Sequence, residues 1–133
     1  MYGETSGSDS REARALMERV LDFSLRNEIE ALRSEEQWLD GDRNSRTLAK
    51  EVDFRVLLTV LHDEATLDEQ DGDARVSVQL LEGQAQLAVE GQSIDIGAGG
   101  LAVVDAGQRW DLRAVGDCAV LLTLAWPREK AGV

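Results

Sequence analysis

The chain has 133 residues and carries 26 acidic against 14 basic side chains, a formal charge of −12. That length suits a single domain with its own core, and the charge argues against a nucleic-acid partner, because affinity for phosphate backbones depends on Lys and Arg releasing counterions. A lone cysteine excludes an internal disulfide, and no apolar run nears the ~20 residues of a membrane span.

Residues 1 to 8 are small and polar and are expected to be poorly ordered. The N-terminus "MYGETSGSDSRE" lacks the basic and apolar regions of a secretion signal, so a cytoplasmic location is expected, which a free thiol also suits. Asp9 with Glu12 resembles a capping box, and Ala13, Leu16, Met17, Val20 and Leu21, then Leu25, Ile29 and Leu32, follow helical spacing. This predicts one amphipathic helix to about Arg33, packed on its own chain or on a partner subunit. Ser34 with Gln37 is placed to cap a short turn carrying Trp38, and "DGDRNS" reads as a loop.

After Arg46 the period changes to two. Thr47–Lys50, Phe54–Leu61, Arg75–Leu81, Ala85–Val89, Gln92–Ile96, Leu101–Val104, Trp110–Ala114 and Ala119–Trp126 read as strands, separated by turn-forming segments that include "EGQ" at 82–84 and "VGD" at 115–117. Eight short strands at regular spacing predict an antiparallel sandwich or barrel, with Pro127 closing the last one. Val76, Val78 and Leu80 then share one face, and Ser77, Gln79 and Leu81 the other. The division expected is residues 1–46 as disordered N-terminus, helix and connecting loop, 47–127 as the barrel, and 128–133 as a tail.

Glycine spacing adds a second signal: Gly83 and Gly91 bracket a hairpin-like segment, and Gly99 and Gly107 flank the buried-looking "LAVV". Together with "GDRNSRTLAKEVDFRVLLTVL", "VSVQLLEG" and "DLRAVGDCAVLLTLAWP", this order resembles small bacterial cupin-domain proteins with a helical N-terminal segment. The resemblance implies a cupin-type double-stranded β-helix, a jelly-roll barrel, preceded by an amphipathic α-helix. It also implies where metal ligands would sit. The first cupin motif, laid back from Gly83, puts them at Gln70, Gly72 and Val76, and the second, from Gly99, puts the last at Trp110, with Asp105 where the motif has proline.

Those residues cannot do what the motif's histidines and glutamate do. Glycine and valine have no side-chain donor atom, an indole N–H only donates a hydrogen bond, and a single amide is a weak ligand. The reading is therefore a barrel without metal or other cofactor, its mouth at Gln70, Gly72, Val76 and Trp110 offering an amide and a large ring to a small organic molecule. In the opposite reading Trp110 plugs the barrel and the protein is a structural or interaction module.

His62 and Gln79 are further candidates. His62, the only histidine, stands at a strand end where solvent exposure is expected and Asp63 points away from it. A metal-dependent oxygenase or isomerase would have to recruit His62, Gln70 and the acidic stretch Asp63–Asp73, which lacks the spacing of an EF-hand and otherwise reads as a solvated loop. No serine elbow is present, no carboxylate pair stands out among the many acids, and Cys118 reads as a buried structural thiol. Trp38 and Trp126 read as core or interface residues. The expected partners are a small organic ligand and a second copy of the chain in a homodimer, since an open sandwich has edge strands to cover.

Overall fold

The computed structural model describes residues 20–68 and 72–127. Its helices are α1 (Leu25–Leu32) and α2 (Glu36–Asp40). Its strands are β1 (Arg43–Glu51), β2 (Phe54–Leu61), β3 (Thr66–Asp68), β4 (Arg75–Val89), β5 (Gln92–Gly97), β6 (Leu101–Val104) and β7 (Trp110–Ala125). The expected disorder of residues 1–8, the capping box at Asp9, the stripe from Ala13 to Met17 and the tail at 128–133 lie outside the described residues.

The long helix is not continuous through its described part. Residues 20–24 are non-helical, and α1 starts at Leu25 because Ser24 is extended (φ −90°, ψ 107°) and its side chain accepts the Asn27 N–H at 3.3 Å. This N-cap satisfies a first-turn donor and fixes the helix start. The turn carrying Trp38 is present as α2, but Ser34 does not cap it: its Oγ donates 2.8 Å back to the Ala31 carbonyl. Ile29 and Leu32 are buried with Trp38 against Leu48, Leu58, Val60 and Ala119, so α1 packs on its own chain.

β1 begins four residues earlier than the alternation indicates, inside the expected loop. Its first residues are polar because they tie the helices down. Asn44 Nδ2 donates to the Leu32 carbonyl and to Glu35 Oε1, both at 2.9 Å, while Arg46 bonds Glu28 at 2.7 Å and Glu35 at 2.6 Å. The acidic stretch likewise contains β3, paired with β7 through Thr66–Arg113, Leu67–Leu112 and Asp68–Asp111.

Two expected turns are bulges instead. β4 runs unbroken through Glu82-Gly83-Gln84 and β7 through Val115-Gly116-Asp117, and the register between them shifts on both sides of Glu82. Gly83 (φ +83°) and Gly116 (φ +79°) adopt the left-handed conformation open to glycine. The chain turns a corner here rather than folding back as a hairpin. The true hairpin is at Glu90-Gly91, whose φ values of +50° and +85° are those of a type I′ turn between β4 and β5.

The bulges divide the strand pairing into two sheets, all antiparallel. One contains β1, β2, the second half of β7, the first half of β4 and β6; the other contains β3, the first half of β7, the second half of β4 and β5. Their inner faces share one apolar cluster that includes Val76, Val78 and Leu80 from the first sheet and Ala85, Leu87, Trp110 and Leu112 from the second. This is the expected jelly-roll sandwich, with the predicted Val76/Val78/Leu80 face inside. "LAVV" is buried on one side only: Val104 points inward, whereas Leu101 and Val103 are 62% and 61% exposed.

Candidate functional site

Side-chain parity determines what faces the barrel interior. Cross-strand partners share a face, so the pairs Leu61–Cys118, Thr59–Val120, Leu57–Leu122 and Arg55–Leu124 put Leu61, Thr59, Leu57 and Arg55 of β2 on the same side as the core residues of β7. Leu124 continues this row to Val76 and Val104. Arg55, Leu124, Val76 and Val104 thus lie at the end of the first sheet furthest from the glycine corners. In the second sheet the corresponding end holds Trp110, paired with Val89. These ends, opposite the glycine corners, are the candidate barrel mouth.

The sequence-derived site residues separate into three groups. Val76 (2% exposed) and Trp110 (9%) are brought into the same apolar cluster. Gly72 lies on the exposed connection into β4, where its carbonyl accepts the Gly107 N–H at 2.5 Å, while Gln70 lies outside the described residues. Gln79 faces the outside of the barrel, between Leu101 and Leu121 in the pairing, and does not meet the other candidates.

His62 sits at the opposite, corner end of the barrel and is not the freely exposed histidine expected. It is half-buried: its ring stacks on Trp38, Nε2 is 2.9 Å from the Trp38 carbonyl oxygen, and Nδ1 is 3.4 Å from Asp117 Oδ1. Asp63 lies in the turn after β2, where strand alternation no longer applies, and accepts the Gly116 N–H at 2.7 Å. Glu64 pairs with Arg113 at 3.1 Å, so part of the acidic stretch braces the corner.

Trp110 also borders a cleft of about 630 Å³ on the outer side of the second sheet, lined with Asp68, Ala88, Glu90, Arg109 and Asp111 among others. Glu90 Oε2 accepts the Arg109 N–H there at 2.9 Å.

The chemistry this arrangement supports is recognition. Among the described residues no group of three or more His, Cys, Asp or Glu is placed to hold a metal ion, and Gly72, Val76 and Trp110 offer no ligand atom, so these residues do not fit a cupin metal centre. Cys118 is fully buried, and burial pushes its thiol up to about 11, which leaves it un-ionised and unreactive at neutral pH.

Sequence reasoning missed Arg55, which read as an ordinary residue of "FRVLLTVL". Its guanidinium lies 5.3 Å from the centre of the Trp126 ring, and Trp126 packs against the interior cluster. The signal was present in its parity with Leu57, Thr59 and Leu61.

Comparison with known proteins gives a consistent picture. Residues 51–132 match the model of the AraC-binding-like domain. The fold is similar to that of a conserved protein of unknown function from Streptococcus pyogenes, with a TM-score of 0.63 and 22% identity over 81% of this chain and 87% of that one. It is also similar to a cupin superfamily protein from Desulfitobacterium hafniense, with a TM-score of 0.61 and 19% identity over 64% of this chain and 78% of that one. A third similar structure is an HTH_3 family transcriptional regulator from Vibrio cholerae, at a TM-score of 0.61 and 18% identity over 77% of this chain and 62% of that one. At these identities the likeness is one of fold. No curated protein sequence matches the chain.

Proposed function

The chain belongs to the AraC-binding-like domain family and has a cupin fold, and from that premise we propose that it is a metal-free binding module for a small organic molecule, regulatory rather than catalytic. The observation that carries this reading is a large ring, Trp110, buried in the apolar interior, at the position where the resemblance to cupins implies an imidazole. Fold similarity to a transcriptional regulator supports a regulatory role for such a module.

Native mass spectrometry of protein purified without chelators tests it, expecting a retained organic adduct or a titratable one on adding metabolite fractions. A stoichiometric transition metal in elemental analysis would overturn it in favour of a metal-dependent enzyme. The burial of Trp110 also suits a plugged barrel, and tryptophan fluorescence that ignores every metabolite would assign that role.

We further propose a homodimer. Leu101 and Val103 project from β6, which among the described residues pairs on one side only, with β4, and such an apolar edge calls for cover. Light scattering should give twice the chain mass, falling to one chain in Leu101→Asp/Val103→Asp; a monomeric wild type overturns the dimer. No helix among the described residues is long and apolar enough to cross a membrane, and a buried free thiol suits a reducing cytosol, where we place the protein.

A further inference from the structure

We propose that the barrel mouth takes an organic monocarboxylate, its carboxylate held by Arg55 and its body laid against Trp126 and the apolar interior. This rests on the ligand-binding reading above and names the class of ligand.

Among the described residues five arginines are half-buried: 33, 43, 46, 55 and 113. Four of them hold carboxylates, Arg33 with Glu82, Arg43 with Asp42, Arg46 with Glu28 and Glu35, and Arg113 with Glu64, at 2.6 to 3.1 Å. Arg55 has no such ion pair. Its Nε is buried without a hydrogen-bond partner, and the contact its guanidinium makes is with the face of Trp126. Arg33 Nε is likewise unbonded, but the Nη1 of that side chain carries Glu82.

Desolvating a cation without an anion is unfavourable, and the cost is removed when an anion arrives. In a chain with 26 acids, an internal carboxylate opposite Arg55 would have been easy to supply. Its cross-strand neighbours are Lys50 on β1 and Leu124 on β7 instead, with Val76 and Val104 further along the same row, which leaves the anion to come from outside.

The chemistry of the group specifies the ligand. A guanidinium is a planar fork that matches a carboxylate with two parallel N–H···O bonds, and an indole face beneath it holds the plane of the fork. One guanidinium balances one negative charge, and the −12 field of the chain disfavours a dianion, so a monocarboxylate is preferred to a phosphate. The Leu124 and Trp126 surfaces beside the fork, with valines further along the row, suit an apolar or ring-shaped body.

The test measures binding by tryptophan fluorescence and calorimetry with matched probes: benzoate against benzamide, cyclohexanecarboxylate against its carboxamide, and inorganic phosphate. Wild type should bind at least one carboxylate tenfold or more tighter than its amide, and ignore phosphate. Arg55→Met should lose that binding tenfold or more while melting at or above the wild-type temperature in the absence of probe, because it removes a half-buried guanidinium whose Nε has no hydrogen-bond partner. Arg55→Lys should fall between the two.

Equal binding of acid and amide, unchanged in Arg55→Met, would overturn the carboxylate while leaving the barrel a ligand site. Preference for phosphate, or silence with every probe, would also overturn it. The organic adduct sought by mass spectrometry tests the broader reading separately. An Arg55→Met variant that melts well below wild type with carboxylate affinity intact would assign Arg55 a purely structural role.

Discussion

Trp38 lies flat on His62, their ring centroids 3.4 Å apart and their planes 16° from parallel. The same imidazole reaches the Trp38 carbonyl and Asp117, so it ties α2 to the end of β2 and to the β7 corner. His62→Ala removes a stacked ring and a half-buried hydrogen bond, and should cost about 1–3 kcal/mol in urea unfolding. Near-UV circular dichroism should lose part of its tryptophan signal in the same variant. Unchanged stability would show that the stack contributes nothing to holding α2.

The two glycines read from the sequence as similar turn markers should respond differently to alanine. At Gly83 an added Cβ would stand 2.4 Å from the Asp117 carbonyl oxygen and 2.9 Å from Cys118 Cβ, whereas at Gly91 it would meet nothing within 4 Å. Gly91→Ala should therefore cost only the left-handed backbone penalty, about 1–2 kcal/mol. Gly83→Ala adds overpacking to that penalty and should cost about 3 kcal/mol or more. Urea midpoints of the two variants give the comparison, and equal losses would contradict the corner geometry.

Arg46 and Asn44 fasten the helical segment to β1. Arg46→Met should cost about 1–2 kcal/mol, the partial exposure of its ion pairs lowering the full value of charged hydrogen bonds, and the loss should shrink in high salt. Asn44→Ala strips a buried amide from the Leu32 carbonyl and should cost about 1–3 kcal/mol with no salt dependence. Hydrogen exchange should speed up in α1 in both variants before it does in β4 or β7.

Cys118 gives a pH signature. Burial raises its thiol above the ordinary range, so folding favours the protonated form. The associated stability is present below the unfolded value, near 8.5, and is lost as pH rises toward about 11. Iodoacetamide near pH 8 should alkylate the native protein about 100-fold more slowly than the urea-unfolded chain, a gap set by thiolate fraction and access. Comparable rates would mean the corner opens readily.

The interior alternation of Val76, Val78 and Leu80 and the hairpin at Glu90-Gly91 were legible because both signals are local. Gly83 and Gly116 were not: a glycine in a turn and a glycine in a bulge look alike along the chain, and only the approach of Asp117 and Cys118 to Gly83 distinguishes them. The early start of β1 was hidden because Asn44 and Arg46 serve the helices, which gives a strand the composition of a loop. The α1 boundary was hidden by a helical stripe that passes through Ser24 regardless of the cap there. Within the candidate site, the motif pointed to Val76 and Trp110, which share one apolar cluster, while Arg55 was passed over because a lone charge in an apolar strand reads as its solvent face.

The placement of β7 also governs when the fold can form. This last strand pairs with β2, β3 and β4, so it is central to both sheets. During synthesis, β1 and β2 can form their hairpin early, and β4 can pair with β5 and β6. These two halves remain unjoined, each with an open strand edge, until residues 110–125 have left the ribosome and come between them.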